Sequence, residues 1–119
     1  MDVLDQNALE ALRGLQDDGD DDLLNELIDL FLEDAPGRMA GMRDAIARED
    51  WPGLASSAHS LKGSCGSLGA THMARLCGRL EQHGRTGGGR RDAELVFQEL
   101  EGQYTLVREA LQRERRPCH

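Results

Sequence analysis

Residues 51–68 read WPGLASSAHSLKGSCGSL. Trp51, Leu54, Ala58, Leu61, Cys65 and Leu68 follow one another at intervals of 3, 4, 3, 4 and 3. That alternation puts all six on one stripe of an α-helix, which is the spacing of a seam in a helical bundle. Asp50 stands before the stretch as an N-cap, and Gly69 stands after it as a stop. The spacing therefore predicts a helix over about 51–68.

The same periodicity extends in both directions. Downstream, Met73, Leu76, Cys77 and Leu80 give a helix over about 71–84, with Thr71 as its cap. Gly84-Arg-Thr-Gly-Gly-Gly-Arg-Arg91 reads as a flexible loop. It is not a phosphate-cradling loop, because no strand precedes it and the spacing is wrong. A last helix over about 91–114 carries Ala93, Val96, Leu100, Tyr104, Val107 and Leu111, and the tail from Arg115 is expected to fray. Upstream, residues 5–15 form a short amphipathic piece. The acidic run Asp17–Asp22 lacks the twelve-residue spacing of a calcium loop. It reads as a solvated turn feeding acids into the next helix, about 21–34, whose positive N-terminal dipole favours them. Leu24, Leu27, Ile28 and Phe31 share a stripe there. Asp34-Ala-Pro36 reads as a break, followed by a helix over about 36–48 with Met39, Met42 and Ile46.

Short connections between long amphipathic helices make neighbours antiparallel. The expected fold is all-α: an up-and-down four-helix bundle of helices 36–48, 51–68, 71–84 and 91–114. The helices at 5–15 and 21–34 then cover one end, and residues 1–119 make a single domain. Aromatics are only 3% of the chain. Leucine is common and β-branched residues are scarce, which also disfavours a sheet.

The 119 residues carry 22 acidic and 14 basic side chains, for a formal charge of −8. Nucleic acid is a poor partner for such a chain, because phosphate binding needs a basic face. The charge is uneven: residues 1–50 hold 15 acids against 4 arginines. No apolar run is long enough to cross a bilayer, and the N-terminus has neither the cationic start nor the apolar run of a secretory signal. Cys65, Cys77 and Cys118 have no zinc-site spacing. Cys65 and Cys77 suit small buried hydrophobes in a reducing compartment, so the expected location is the cytoplasm. The Cys118-His119 end is read as a frayed terminus rather than a metal site.

One residue on the 51–68 helix is out of place for a bundle. At 100° per residue, His59 projects roughly 130° from the centre of the apolar stripe. It is therefore expected to face outward, near the middle of a rigid helix about 27 Å long. Gly63 and Gly66 follow it one and two turns on, Ser56 lies one turn back, and Lys62 flanks it. Two glycines inside a helix cost about 1 kcal/mol each relative to alanine. A bare surface beside an exposed imidazole would let another protein's backbone approach. The alternative, close packing of a neighbouring helix, stays open, for Gly66 above all. Lys62 is the chain's only lysine. Its compact ammonium suits neutralisation of a phosphoryl group, although a solvated lysine needs no such role. His72, His83 and His119 have no metal partner four residues on; His83 near a helix C-terminus is accounted for by the dipole.

His59-Ser-Leu-Lys-Gly-Ser-Cys-Gly-Ser-Leu-Gly-Ala70 closely resembles the signature of histidine-containing phosphotransfer (HPt) domains, written H-x-L-K-G-[SA]-[SA]-x-x-L-G-A. Ala58, Met73–Glu81, Leu24–Pro36 and Ala45–Asp50 also resemble the family. The likeness covers about residues 5–85, and the last helix by pattern alone. Cys65 departs from the usual Ser or Ala, and Glu81 stands where several members have Gln. The resemblance implies a helical bundle that shuttles a phosphoryl group between aspartates of response-regulator receiver domains, without ATP binding or kinase activity. It implies His59 as phosphoacceptor, Lys62 as the screen for the phosphoryl oxygens and Glu81 as the group that contacts or orients the imidazole. Ser56, Gly63 and Gly66 would belong to the partner-binding face. The chain would bind no cofactor or metal, with Mg²⁺ supplied by the receiver. Its partners would be receivers and, as a second candidate, a hybrid sensor kinase. A monomer is expected.

Three other readings compete. A sensor-kinase dimerisation module also uses a helical histidine, but the acidic residue and proline usual around it are missing. An HPt-like bundle that binds a receiver without passing phosphate would not need the His59-Lys62-Gly63 set. A structural helical adaptor leaves the outward histidine and the mid-helix glycines unexplained.

Overall fold

Leu24, Ile28, Phe31, Ala35, Met39, Met42 and Ile46 form one buried stripe, and the helix that carries them runs straight through Pro36. The computed structural model describes residues 3–14 and 22–115. Its helices are α1 (Gln6–Gly14), α2 (Asp22–Arg48), α3 (Trp51–Ser67), α4 (Thr71–Thr86) and α5 (Arg90–Glu114). The expected break at Asp34–Pro36 is thus absent: the two helices anticipated over 21–34 and 36–48 are the single α2. The reason is energetic. A proline inside a helix costs about 3 kcal/mol, whereas burying each large apolar side chain contributes about 1.5–3 kcal/mol. The stripe keeps its 3–4 spacing across residue 36, so splitting the helix would sacrifice several such burials. Pro36 itself lies on the exposed side, where the carbonyl it leaves unpaired can meet water.

α2, α3, α4 and α5 form the bundle. Each packs on the next, and α5 closes the ring against α2. α1 packs on α2, and the Asp5 N–H donates to the Gly69 carbonyl at 2.7 Å. The core is aliphatic: Leu54, Leu61, Met73, Leu76, Leu80, Leu100, Val107 and Leu111 are all fully buried. On α5 the inward aromatic is Phe97, while Val96 and Tyr104 are only partly covered. Arg115, expected to begin a frayed tail, pairs with both carboxylate oxygens of Asp29 at 2.8 and 3.0 Å. The acidic turn at 17–21 and the Cys118-His119 end lie outside the described residues.

The junctions are short because single residues serve two elements. Between α2 and α3, the Glu49 N–H bonds the Ile46 carbonyl and the Asp50 N–H bonds the Ala45 carbonyl, which is a Schellman ending. Glu49 takes a φ of +57° there, a place usually held by glycine. Asp50 then caps α3, accepting from the Gly53 N–H at 3.1 Å. Between α3 and α4, Gly69 (φ +76°) makes the equivalent turn: its N–H bonds Gly66 O, and Ala70 N–H bonds Cys65 O. Thr71 is not the cap of α4. Ala70 occupies that position, without a side-chain bond, because the Gly69 turn has already used the preceding residues.

α4 also runs further than its spacing predicts. Arg85 and Thr86 are also helical, and the connection to α5 is only 87–89, opened by Gly87 at φ +67°. His83 ties this loop down, its Nε2–H donating to the Gly89 carbonyl at 2.8 Å. The His83 ring also meets Trp51 edge-on at 6.0 Å.

Candidate functional site

The buried stripe of α3 (Leu54, Ala58, Leu61, Cys65 and then Leu68) faces the bundle, so the geometry of a helix turns His59 the other way. Its side chain is 66% exposed. The ring is not loose. Nδ1 lies 3.1 Å from Oε2 of Glu81, which projects from α4. A carboxylate can only accept, so Nδ1 carries the proton and donates. In the neutral ring this selects the tautomer whose Nε2 keeps its lone pair, and Nε2 has no hydrogen-bond partner among the described residues.

Glu81 is the hub. Its side chain is 5% exposed, yet it meets three cationic or cation-forming groups. Lys62 Nζ is 2.7 Å from Oε1. Arg85, one helical turn on from Glu81, places Nη2 2.5 Å from Oε2. The Lys62 hydrogen bond holds the Glu81 carboxyl below the ordinary carboxylate range. Partial desolvation opposes this, and the His59 bond and the Arg85 charge reinforce it. Glu81 is therefore ionised at neutral pH, an acceptor only, with two full positive charges beside it.

Around His59 the surface of α3 is bare. A Cβ at Gly63 or at Gly66 would meet nothing within 4 Å. The close-packing alternative is therefore rejected for both glycines; each faces open space. Ser64 and Ser67 fold their hydroxyls back onto the Ser60 and Gly63 carbonyls at 3.4 and 3.1 Å. Ser56 lies exposed on the same face but outside the Glu81 cluster. Beyond the serines opens an apolar groove of about 330 Å³ between α2 and α3. Leu27, Leu30, Phe31 and Leu68 line it, with Asp34 at its edge. Leu30 is 60% exposed.

The structure thus brings His59, Lys62 and Glu81 together. It adds Arg85, which lies in helix α4 and not in the expected loop; its place four residues after Glu81 is the signal in the sequence. Two more glycines matter. Gly78 lies under the Lys62 stem, where a Cβ would touch Cδ at 3.6 Å. Gly84 lets α4 approach α3: a Cβ there would stand 2.6 Å from the Trp51 carbonyl oxygen and 2.8 Å from the Ala55 nitrogen. That close approach is what brings Glu81 within reach of His59. The remaining histidines stand apart: His72 is 3.9 Å from Glu99, and His83 holds the 87–89 loop. Among the described residues no group of three or more His, Cys, Asp or Glu could hold a metal ion.

Residues 26–116 match the family model described as the Hpt domain. The chain belongs to the Hpt domain family. Histidine-containing phosphotransfer protein B of Pseudomonas aeruginosa superposes with a TM-score of 0.86 at 28% identity, over 95% of this chain and 94% of that one. Histidine-containing phosphotransfer protein 2 of Arabidopsis thaliana is 39% identical over 69 residues, which is 56% of this chain and 44% of the relative. Multistep phosphorelay regulator 1 of Schizosaccharomyces pombe is 28% identical over 82 residues, 69% of this chain and 28% of the relative. The matches span less than half the length of these two curated relatives. Among the described residues, no helix of this Hpt domain is long and apolar enough to cross a membrane.

Proposed function

We propose that this Hpt domain carries a phosphoryl group on His59 between aspartates of receiver domains in a phosphorelay. The observation that carries the reading is the His59 ring itself: exposed at mid-helix, with Nδ1 bound to a buried carboxylate and Nε2 free. Nε2 offers its lone pair to the phosphorus of an aspartyl phosphate. The N–P bond forms as the P–O bond to the aspartate breaks, and the aspartate leaves as a carboxylate. The Nδ1 proton stays where it is. Lys62 and Arg85 neutralise charge on the phosphoryl oxygens, which is most of what such a transfer asks of a protein. The reverse steps deliver the group to a second receiver.

The bare stretch at Gly63 and Gly66 admits the receiver's backbone close to His59, and Ser56 extends that face. The neighbouring groove at Leu27, Leu30, Phe31 and Leu68 gives the receiver an apolar foothold. Mg²⁺ is expected in the receiver's own acidic site. The carrier itself needs no nucleotide, so it is read as a cytoplasmic, monomeric phosphocarrier and not a kinase. Sensor kinases that end in a receiver are upstream partners of the same chemistry.

The test is label transfer. A phosphorylated receiver with Mg²⁺ labels the wild-type protein, and the label survives alkali and is lost in acid, as a phosphoramidate should be. His59→Gln takes no label. Labelling that persists in His59→Gln rejects the assignment, whereas receiver binding without labelling of the wild type favours a docking module that passes no phosphate. Labelling by ATP alone would contradict the carrier reading.

A further inference from the structure

The carboxylate at residue 81 has a consequence for the phosphorylated state. Where the residue at this place is glutamine, a neutral amide faces the ring. Here a negative charge does, 3.1 Å from Nδ1. The charged groups that meet this cluster are Lys62 from α3 and Glu81 and Arg85 from α4. From α2, Asp34 stands at the edge of the groove beyond Ser64 and is paired with Arg38 at 2.5 Å.

In the resting state Lys62 and Arg85 are both spent on Glu81. A phosphoryl dianion on Nε2 offers them a stronger acceptor, and any turn of these cations toward it leaves the carboxylate short of positive charge. The ring is the remaining group that can supply it, by keeping the Nδ1 proton after Nε2 has become bonded to phosphorus. The cluster is then neutral with the ring as imidazolium. With a neutral amide at residue 81 it would balance with the ring deprotonated.

We propose that Glu81 is a positioning residue that holds phosphorylated His59 in its imidazolium form, making this Hpt domain a quick-discharge carrier rather than a store of phosphoryl groups. The chemistry is direct. When the P–N bond of the imidazolium form breaks, its electron pair returns to Nε2 and a neutral imidazole leaves, with the proton still on Nδ1. When the same bond breaks in the deprotonated form, the leaving group is an imidazolate anion. Protonation therefore sets the rate of phosphoryl loss to water or to an aspartate, and Glu81 extends the protonated form to higher pH. This rests on the phosphocarrier reading of His59 but is separable from it.

The experiment labels the protein chemically with phosphoramidate, which bypasses any receiver. Loss of phosphate is followed against pH, and nitrogen-15 NMR reports whether Nδ1 of the phosphorylated ring carries a proton. An opposite charge at this distance moves such an equilibrium by about one pH unit or more. In Glu81→Gln the profile should shift to lower pH by about that amount, and the phosphoprotein should last up to about tenfold longer at mildly alkaline pH. Coincident profiles for wild type and a folded Glu81→Gln overturn the proposal. A second comparison needs no variant. The wild-type ring must keep its Nδ1 proton to higher pH than the free amino acid phosphorylated at the same nitrogen; a midpoint at or below the free one overturns the proposal equally. If both profiles behave as expected but no receiver exchanges phosphate with the protein, the relay reading fails instead. If His59 takes no phosphoramidate label, both fail.

Discussion

The same substitution at two glycines should have opposite effects. At Gly84 a methyl group would fall 2.6 Å from the Trp51 carbonyl oxygen, 2.8 Å from the Ala55 nitrogen and 2.9 Å from the Ala55 Cβ. None of these can swing aside, two being backbone atoms and the third a Cβ fixed to the backbone. To restore ordinary contact, α4 must retreat from α3 by about 0.8 Å, and because none of the atoms it meets can yield, the overpacking strain falls in the upper part of its usual range, about 2–3 kcal/mol. Alanine's better helix propensity returns about 1 kcal/mol. Gly84→Ala should therefore lose about 1–2 kcal/mol, lowering Tm by about 4–8 °C for a chain of this size. At Gly63 the methyl group meets nothing within 4 Å, so Gly63→Ala should gain up to about 1 kcal/mol. Thermal and urea melts followed by far-ultraviolet circular dichroism read both. Function should suffer at both positions, by different routes. A retreating α4 carries Glu81 away from His59, so Gly84→Ala should accept phosphate more slowly. Gly63→Gln should stay helical yet dock a receiver less well. A Gly84→Ala protein as stable as the wild type would refute the close-approach account. A Gly63→Ala protein no more stable than the wild type would refute the open-space account.

Two further outcomes follow from the surface and the ion cluster. Leu30→Glu puts a charge into an exposed groove, so it should change stability by less than about 0.5 kcal/mol. Receiver affinity, read by calorimetry, should nevertheless fall on the order of tenfold, about 1.4 kcal/mol; unchanged affinity would remove the groove from the docking face. Glu81 has its carboxyl held below the ordinary value of 4.5. Its contribution to stability is therefore complete above that value and is lost as pH falls through the lower, folded one. Acid titration of urea midpoints should show part of the decline below about pH 4.5 missing in Glu81→Gln; parallel curves would show that the cluster adds nothing to the fold.

What could be read without coordinates depended on the range of the forces involved. The outward turn of His59 follows from helical phase alone, because five or six neighbouring side chains on one helix determine it. The continuity of α2 did not emerge, because Pro36 is a strong local signal and the stripe that overrides it extends on both sides into tertiary contacts. The run Gly84–Gly89 misled for a related reason. Glycine was read as a mark of flexibility, but Gly84 is required by the backbone of α3 and lies inside a helix. Glu81 came into view through family likeness, since its partners are contributed by two helices, and Arg85 stayed hidden behind the loop reading. Gly63 and Gly66 could be flagged as costly and given two explanations, because only the positions of the neighbours decide between a crowded glycine and an open one.

The His59 ring is held by one face of α3 and α4, while the fold is secured by the opposite face. Ser56, Ser60, Gly63, Gly66 and Ser67 are all exposed, and none contributes to the aliphatic core. Their side chains can be exchanged at little thermodynamic penalty, so duplicated copies of such a carrier are free to diverge in whom they recognise. Insulation between parallel signalling circuits can then evolve by repainting one side of a rod, with the chemistry and the scaffold inherited intact.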